Sequence, residues 1–292
     1  VDNVAVGYNS LKVITSGGNN VAVGAYAGDA ITTGSGIVAI GTYAASAITT
    51  GDSCVAVGYH ALKIAGYDGH TTAIGNESLM DLNKGGNSWN TAVGSRAAQN
   101  TTTGIKNVVI GFSALDTNTV GSFNIAIGSE ALSTANENDN DGSVAIGFEA
   151  CKVQAGTGGA QFATATTAIG YKALTALTTG AGNTAIGYEA GKALTTANGN
   201  TLIGYNAGVL LTHSNNVVIG ESAFDAATSA EDSIIIGVGA GGAMTTGDQN
   251  MAIGYGALAQ HTTGSRNIAI GYQAMDGTAG DADDAPASID NI

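Results

Sequence analysis

The chain has 292 residues, 45 of them glycine and a single proline, with 44% hydrophobic residues and a formal net charge of −14. The hydrophobic content is too high for a disordered chain, and no glycine recurs at every third position as in collagen. The acidity argues against partners that are nucleic acids or anionic membrane surfaces, and no run of about 18 apolar residues predicts insertion into a bilayer.

One stretch recurs along the chain, seen in its cleanest form as Asn183 to Ala190, Asn-Thr-Ala-Ile-Gly-Tyr-Glu-Ala. Its glycine anchors sixteen copies: Gly7, Gly24, Gly41, Gly58, Gly75, Gly94, Gly111, Gly128, Gly147, Gly170, Gly187, Gly204, Gly220, Gly237, Gly254 and Gly271. Eleven of the fifteen spacings equal the interval from Gly170 to Gly187, a 17-residue period. A period too short for two packed helices but long enough for short strands and turns predicts a quasi-one-dimensional stack. The expected fold class is therefore all-β: an elongated parallel β-solenoid, or β-roll, of about sixteen coils. We expect one domain over residues 1–292, with insertions near 80–89, 136–142 and 153–165 and an irregular C-terminal turn at 276–288.

The columns of the repeat have their own chemistry. The residue before each anchor is always Val or Ile: Val6, Val23, Ile40, Val57, Ile74, Val93, Ile110, Ile127, Ile146, Ile169, Ile186, Ile203, Ile219, Ile236, Ile253 and Ile270. Two before the anchor stands Ala, except at Val109, Leu202, Val218 and Ile235; four before it, Asn stands in ten copies. Strand alternation puts the Val/Ile pair and the following aromatic on one face, and Asn, Ala and Gly on the other. Bulk assigns the sixteen Val/Ile residues to the structural core and leaves the small face for subunit packing. Stacked Asn amides are expected to bond from coil to coil. The Ala-Leu segment after the anchor fits either a second short strand or one helical turn. The Thr pairs that follow, such as Thr178-Thr179 and Thr195-Thr196, suit turns, and they also offer hydroxyls for covalent O-glycans or a ligand.

In chain order, the first five copies are evenly spaced. The first departure, Met80 to Trp89, contains the only Trp; it packs beside a longer turn or projects as an aromatic from a ligand-binding loop. Between Gly128 and Gly170, Glu137, Asp139 and Asp141 stand at alternate positions before Gly142, a weak calcium candidate set against a solvated acidic turn. The uncharged segment that follows predicts a protruding loop. Val1, Asp2, Asn3 and Val4 at one end match Ile289, Asp290, Asn291 and Ile292 at the other, in the same phase of the repeat. That match predicts head-to-tail assembly, or origin in a longer array, since heterologous contacts that do not close produce filaments. Cys54 and Cys151 lie five coils apart, roughly 24 Å, beyond disulfide reach, and should be buried free thiols.

No catalytic constellation is present. His60, His70, His213 and His261 fall at unrelated phases of the repeat, and no P-loop, zinc or nucleophile-elbow motif occurs. Neither enzyme activity nor a cofactor is expected.

The pattern Asn-Thr/Val-Ala-Ile/Val-Gly-Tyr-x-Ala-Leu resembles the head repeat of trimeric autotransporter adhesins. With its Thr-Thr-Gly turn, it resembles still more the long arrays of phage tail-fibre and bacterial surface proteins. The resemblance runs from Val1 to about Gly280. It implies a β-roll that associates with itself and binds host surfaces. The expected function is a structural subunit of an extracellular fibre, on a cell surface or virion, associating head to tail or laterally. The alternative is an adhesin module that binds a receptor or cell-surface glycans. A flat repetitive Asn-x-Ala-x-Gly face would also suit contact with ice.

Overall fold

The computed structural model describes residues 2–64, 69–83, 85–134, 141–154 and 165–277. Sixteen strands of three residues run from β1 (Val4–Val6) to β16 (Ile268–Ile270), one per copy of the repeat. The protein is an all-β solenoid, and no helix occurs among the described residues. Contacts divide the chain into two compact units, Val1–Ser143 and Val144–Ile292. The first holds β1 to β8 (Ile125–Ile127), the second β9 (Val144–Ile146) to β16. The boundary falls where two successive spacings depart from the regular period, Gly128 to Gly147 and Gly147 to Gly170. Most of the insertions at 136–142 and 153–165, and of the turn at 276–288, lie outside the described residues.

Within each unit neighbouring strands pair in parallel, column over column: Val4 with Val21 in the first, Ile169 with Ile186 in the second. The longer spacing between Gly75 and Gly94 leaves this register intact, with Ile74 opposite Val93. The extra residues are absorbed in the turn.

The Ala-Leu segment is neither strand nor helix. It is a run of tight turns in which left-handed residues alternate with others, such as Lys172 (φ 55°) and Leu174 (φ 50°). The alternation reverses the direction of successive backbone hydrogen bonds. Lys172 donates to Phe148 one coil back, and Leu174 donates to Ala190 one coil on. Each turn is thereby tied to both neighbours.

The core is the reverse of the arrangement that bulk predicts. The central alanine of each described strand after the first is sealed: Ala22, Ala56, Ala73, Ala126, Ala185 and Ala252 have no exposed surface. The flanking residues point outward. Val6, Val23, Ile40, Ile74, Ile110, Ile186 and Ile270 are exposed; Val57, Val93, Ile127, Ile146, Ile169, Ile203, Ile219, Ile236 and Ile253 are half-buried. None of the sixteen is a core residue.

The interior is filled from the opposite wall by two other columns. One stands four residues after the anchor (Leu62, Leu79, Leu115, Leu174) and the other seven after it (Ile31, Ile48, Leu82, Leu177, Leu194). Most coils carry large side chains from one wall only. Two of the four exceptions in the alanine column follow the same limit, whereas Val109 and Val218 share their coils with the buried Leu115 and Phe224. Where Leu202 and Ile235 replace Ala, glycines 208 and 241 replace Leu in the facing column. A Cβ on Gly208 would stand 3.2 Å from Leu202 Cδ2, and one on Gly241 3.5 Å from Ile235 Cγ2. Interiors packed to this density lose stability when a site is overfilled as well as when it is emptied.

Three side-chain ladders hold successive coils together. Buried Asn side chains form the first: Asn183 Oδ1 accepts the Asn200 N–H at 3.0 Å, and Asn183 Nδ2 donates to the Ala197 carbonyl at 2.7 Å. The second lies two residues earlier in the repeat and runs in the opposite direction. Asn198 Oδ1 accepts the Ala181 N–H at 2.7 Å, and Asp248 Oδ1 accepts the Glu231 N–H at 3.0 Å. In the third, the first Thr of a turn pair donates its hydroxyl to the carbonyl of the Thr one coil on. Thr178 to Thr195 is 2.8 Å and Thr245 to Thr262 is 2.9 Å.

The inversion of the core is testable with neighbouring residues of β5 (Thr72–Ile74). Ala73→Leu should destabilise the protein by about 1–3 kcal/mol through overpacking against Leu79. Ile74→Ser, on the outer face, should change stability by no more than about 0.5 kcal/mol. Urea denaturation of the two variants reads both.

Candidate functional site

The surface that stands out is the outer face of the strands. Its two columns, first and third residues of β1 to β16, contain only Val, Ile, Thr and Met. No charge enters them, although the chain carries 9 basic and 23 acidic residues. These side chains touch their own column neighbours above and below but nothing seals their outer surface; Val23, Ile40, Ile110 and Ile186 are between 36% and 40% exposed.

In the second unit an aromatic column borders this face. Phe148, Tyr171, Tyr188 and Tyr205 stand one residue after four successive anchors, with ring centroids 5.4, 4.9 and 5.0 Å apart and planes within 15° of parallel. Tyr255 and Tyr272 continue the motif at 5.3 Å after a gap at Glu221 and Val238. Each stacked pair contributes about 0.5–1.5 kcal/mol beyond the area it buries. In the first unit Tyr8, Tyr59 and Phe112 occupy this column, separated by small residues. The stack there shifts one position along, to Tyr26 and Tyr43 at 4.8 Å.

Charges lie beside the face, not on it. Glu149 accepts from Lys152 at 2.8 Å and pairs with Lys172 at 3.4 Å; these bonds, Lys152's foremost, hold its carboxyl below the usual carboxylate range. Lys192 pairs with Glu189 at 3.0 Å. Arg96 reaches Asp116 at 2.6 Å, yet burial outweighs the guanidinium and pushes the Asp116 carboxyl up. Such pairs orient side chains more than they stabilise the fold.

The structure does not gather the other sequence-derived candidates into a site. Of the calcium candidates, Glu137 and Asp139 lie outside the described residues. Asp141 accepts the backbone N–H of Ser122 at 2.6 Å, as a rung of the outer ladder. Among the described residues no group of three or more His, Cys, Asp or Glu is placed to hold a metal ion. Of the assembly ends, Asp2, Asn3 and Val4 are described, whereas Val1 and Ile289 to Ile292 are not. Asn3 already serves as the first rung of the Asn ladder, accepting from Asn20 at 2.9 Å. The Asn-x-Ala-x-Gly face proposed for ice or for subunit packing is internal, which removes it from both roles. Of the turn threonines, Thr32, Thr178 and Thr245 spend their hydroxyls on the next coil.

Trp89 does not pack into a turn. It is 50% exposed and stacks in parallel with His70, ring centroids 6.5 Å apart. Lys106 Nζ lies 5.6 Å from its ring centroid.

Neither cysteine forms a disulfide, and both are buried. Cys54 takes the place of a ladder Asn, and Cys151 that of a core Leu. Burial alone pushes the Cys151 thiol up to about 12.

No protein-family model, curated protein or solved structure matches the chain. No helix among the described residues is long and apolar enough to cross a membrane.

Neither thiol should react with a thiol reagent at pH 8 until the protein is denatured. The Cys151 shift also fixes a pH dependence. The folded thiol keeps its proton up to about 12, whereas the unfolded thiol loses it near ~8.5. Its contribution to stability is full below that lower value and is lost progressively as pH rises toward the higher one. Wild type should therefore lose more melting temperature between pH 8 and 10.5 than Cys151→Ala, measured by circular dichroism.

Proposed function

We propose that the chain is a structural segment of an extracellular fibre or filament, on a cell surface or virion, that associates laterally with copies of itself through the outer strand face. One observation carries the proposal: both outer columns of all sixteen strands are uncharged, in a chain whose net charge is −14. Depletion of charge from an apolar patch with aromatic residues at its border is the compositional mark of an interface core.

Eight strands about 4.8 Å apart and three residues long give each unit a face of roughly 400 Å², about half the ~800 Å² per partner of a standard interface. The partner that fits best is another copy, because its own columns have the same period. The resemblance to adhesin heads and tail-fibre arrays agrees with this role. Head-to-tail continuation is a further way such a segment would extend. We expect no enzyme activity.

Sedimentation velocity tests the proposal. The wild-type chain should sediment as a concentration-dependent oligomer. Ile186→Lys with Ile203→Lys should give a folded monomer, because an unpaired charge in an apolar contact opposes association. A wild type that stays monomeric up to high micromolar concentration, or an oligomer unchanged by the two lysines, would reject it.

A further inference from the structure

We propose that the stacked tyrosines Tyr171, Tyr188 and Tyr205 are a site of oxidative cross-linking, at which a one-electron oxidant of the peroxidase type joins neighbouring rings into dityrosine. The bond would tie successive coils together covalently. It forms within one chain, so it does not depend on lateral association.

The repeat brings phenol to phenol. Every described tyrosine except Tyr59 is in ring contact with another tyrosine. Tyr188 has one on each side: its ring centroid lies 4.9 Å from that of Tyr171 and 5.0 Å from that of Tyr205, with planes 10° and 15° from parallel. The three rings are between 38% and 50% exposed, so an oxidant reaches them from solvent.

Stacking accounts for the rings but not for their hydroxyls. Phe148 stands in the same column and stacks on Tyr171 without one. Among the described residues the hydroxyls of Tyr188 and Tyr205 make no hydrogen bond. The fold makes no use of these oxygens, and their protons are free to leave to water. A thiol or an indole nearby would quench a phenoxyl radical before it coupled. In the second unit the one cysteine, Cys151, is buried, and the single Trp belongs to the first unit. Neither cysteine forms a disulfide, so a phenol link would add a kind of tie that the thiols do not supply.

The electron count closes. Each of two neighbouring phenols gives one electron to the oxidant and its O–H proton to water, and becomes a phenoxyl radical. The two radicals form one C–C bond between carbons ortho to oxygen. The hydrogen on each of those carbons leaves as a proton while the oxygen takes one up, which restores both phenols. The net loss is two electrons and two protons, which one hydrogen peroxide accepts through the peroxidase to give two waters. The rings need only tilt for their ortho carbons to meet, because the ring torsion of Tyr is broad and neighbouring strands stand about 4.8 Å apart. A link between positions one period apart constrains the unfolded chain and so stabilises the stack.

Trypsin reads the link directly. It cuts after Lys152, Lys172, Lys192 and Arg266, which leaves Tyr171, Tyr188 and Tyr205 in three different peptides. Dilute full chain treated with a haem peroxidase and limiting hydrogen peroxide should gain dityrosine emission and still migrate as a single chain on a denaturing gel. Its digest should contain peptide 173–192 joined to 153–172 or to 193–266, lighter than the sum by two hydrogens. Tyr188→Phe keeps the stacked ring but removes the phenol, so both joined peptides should disappear. The Tyr255–Tyr272 pair, 5.3 Å apart, should still join 193–266 to 267–292 in that variant, which shows that it is folded and oxidised. Joins between distant tyrosines, such as 153–172 with 267–292, should be about tenfold rarer or more, because only stacked neighbours are held in position to react. The proposal is overturned if 173–192 joins nothing, if it joins only a second chain, or if distant tyrosines couple as often as neighbours.

Discussion

The close approach of one anchor glycine to the next sets the dimensions of the molecule. A Cβ on Gly187 would stand 2.2 Å from the carbonyl oxygen of Gly204, and the Gly187 φ of 142° is one that side chains rarely adopt. Only glycine permits successive coils to stack at this separation here. The stacking makes the coil narrow, and the narrowness decides what lies inside. Large side chains fit from the turn wall and alanine from the strand wall. The branched residues of the strands are thereby turned outward, where they form a flat apolar face instead of a core.

Most polar groups inside the coil are held by a ladder. Asn107, Asn183 and Asn200 are buried, and the side chain of each meets backbone groups of adjacent coils. An unpaired buried amide would cost about 1–3 kcal/mol, so the ladder rewards register and penalises slippage. Its counterpart two residues earlier points the opposite way along each unit. The pair of ladders brackets the left-handed residue between them, the same position that carries Trp89, Lys106 and Phe123.

Much of the architecture was legible in the sequence, because so short and regular a period admits little else. The parallel strands, their register and the Asn ladder all follow from spacing and from the preference of stacked amides for one another. The facing of the strand was not legible. Alternation defines two faces but does not say which is inside, and the bulk of Ile186 argued for the wrong one. A partial signal lay in covariation along the chain. Leu202 and Ile235 interrupt the alanine column in coils where glycines 208 and 241 stand in the leucine column, although Val109 and Val218 share their coils with Leu115 and Phe224.

Maleimide labelling of Ile186→Cys and Ala185→Cys tests both the outward direction of the strand side chains and their coverage by a second copy, since the native thiols are buried. In dilute protein Ile186→Cys should label rapidly and Ala185→Cys should not. At concentrations where the chain associates, labelling of Ile186→Cys should slow by about tenfold or more, as expected for a contact formed in most molecules. Rapid labelling of Ala185→Cys in folded protein would contradict the inverted core. Labelling of Ile186→Cys at one rate in dilute and concentrated protein would contradict the lateral interface.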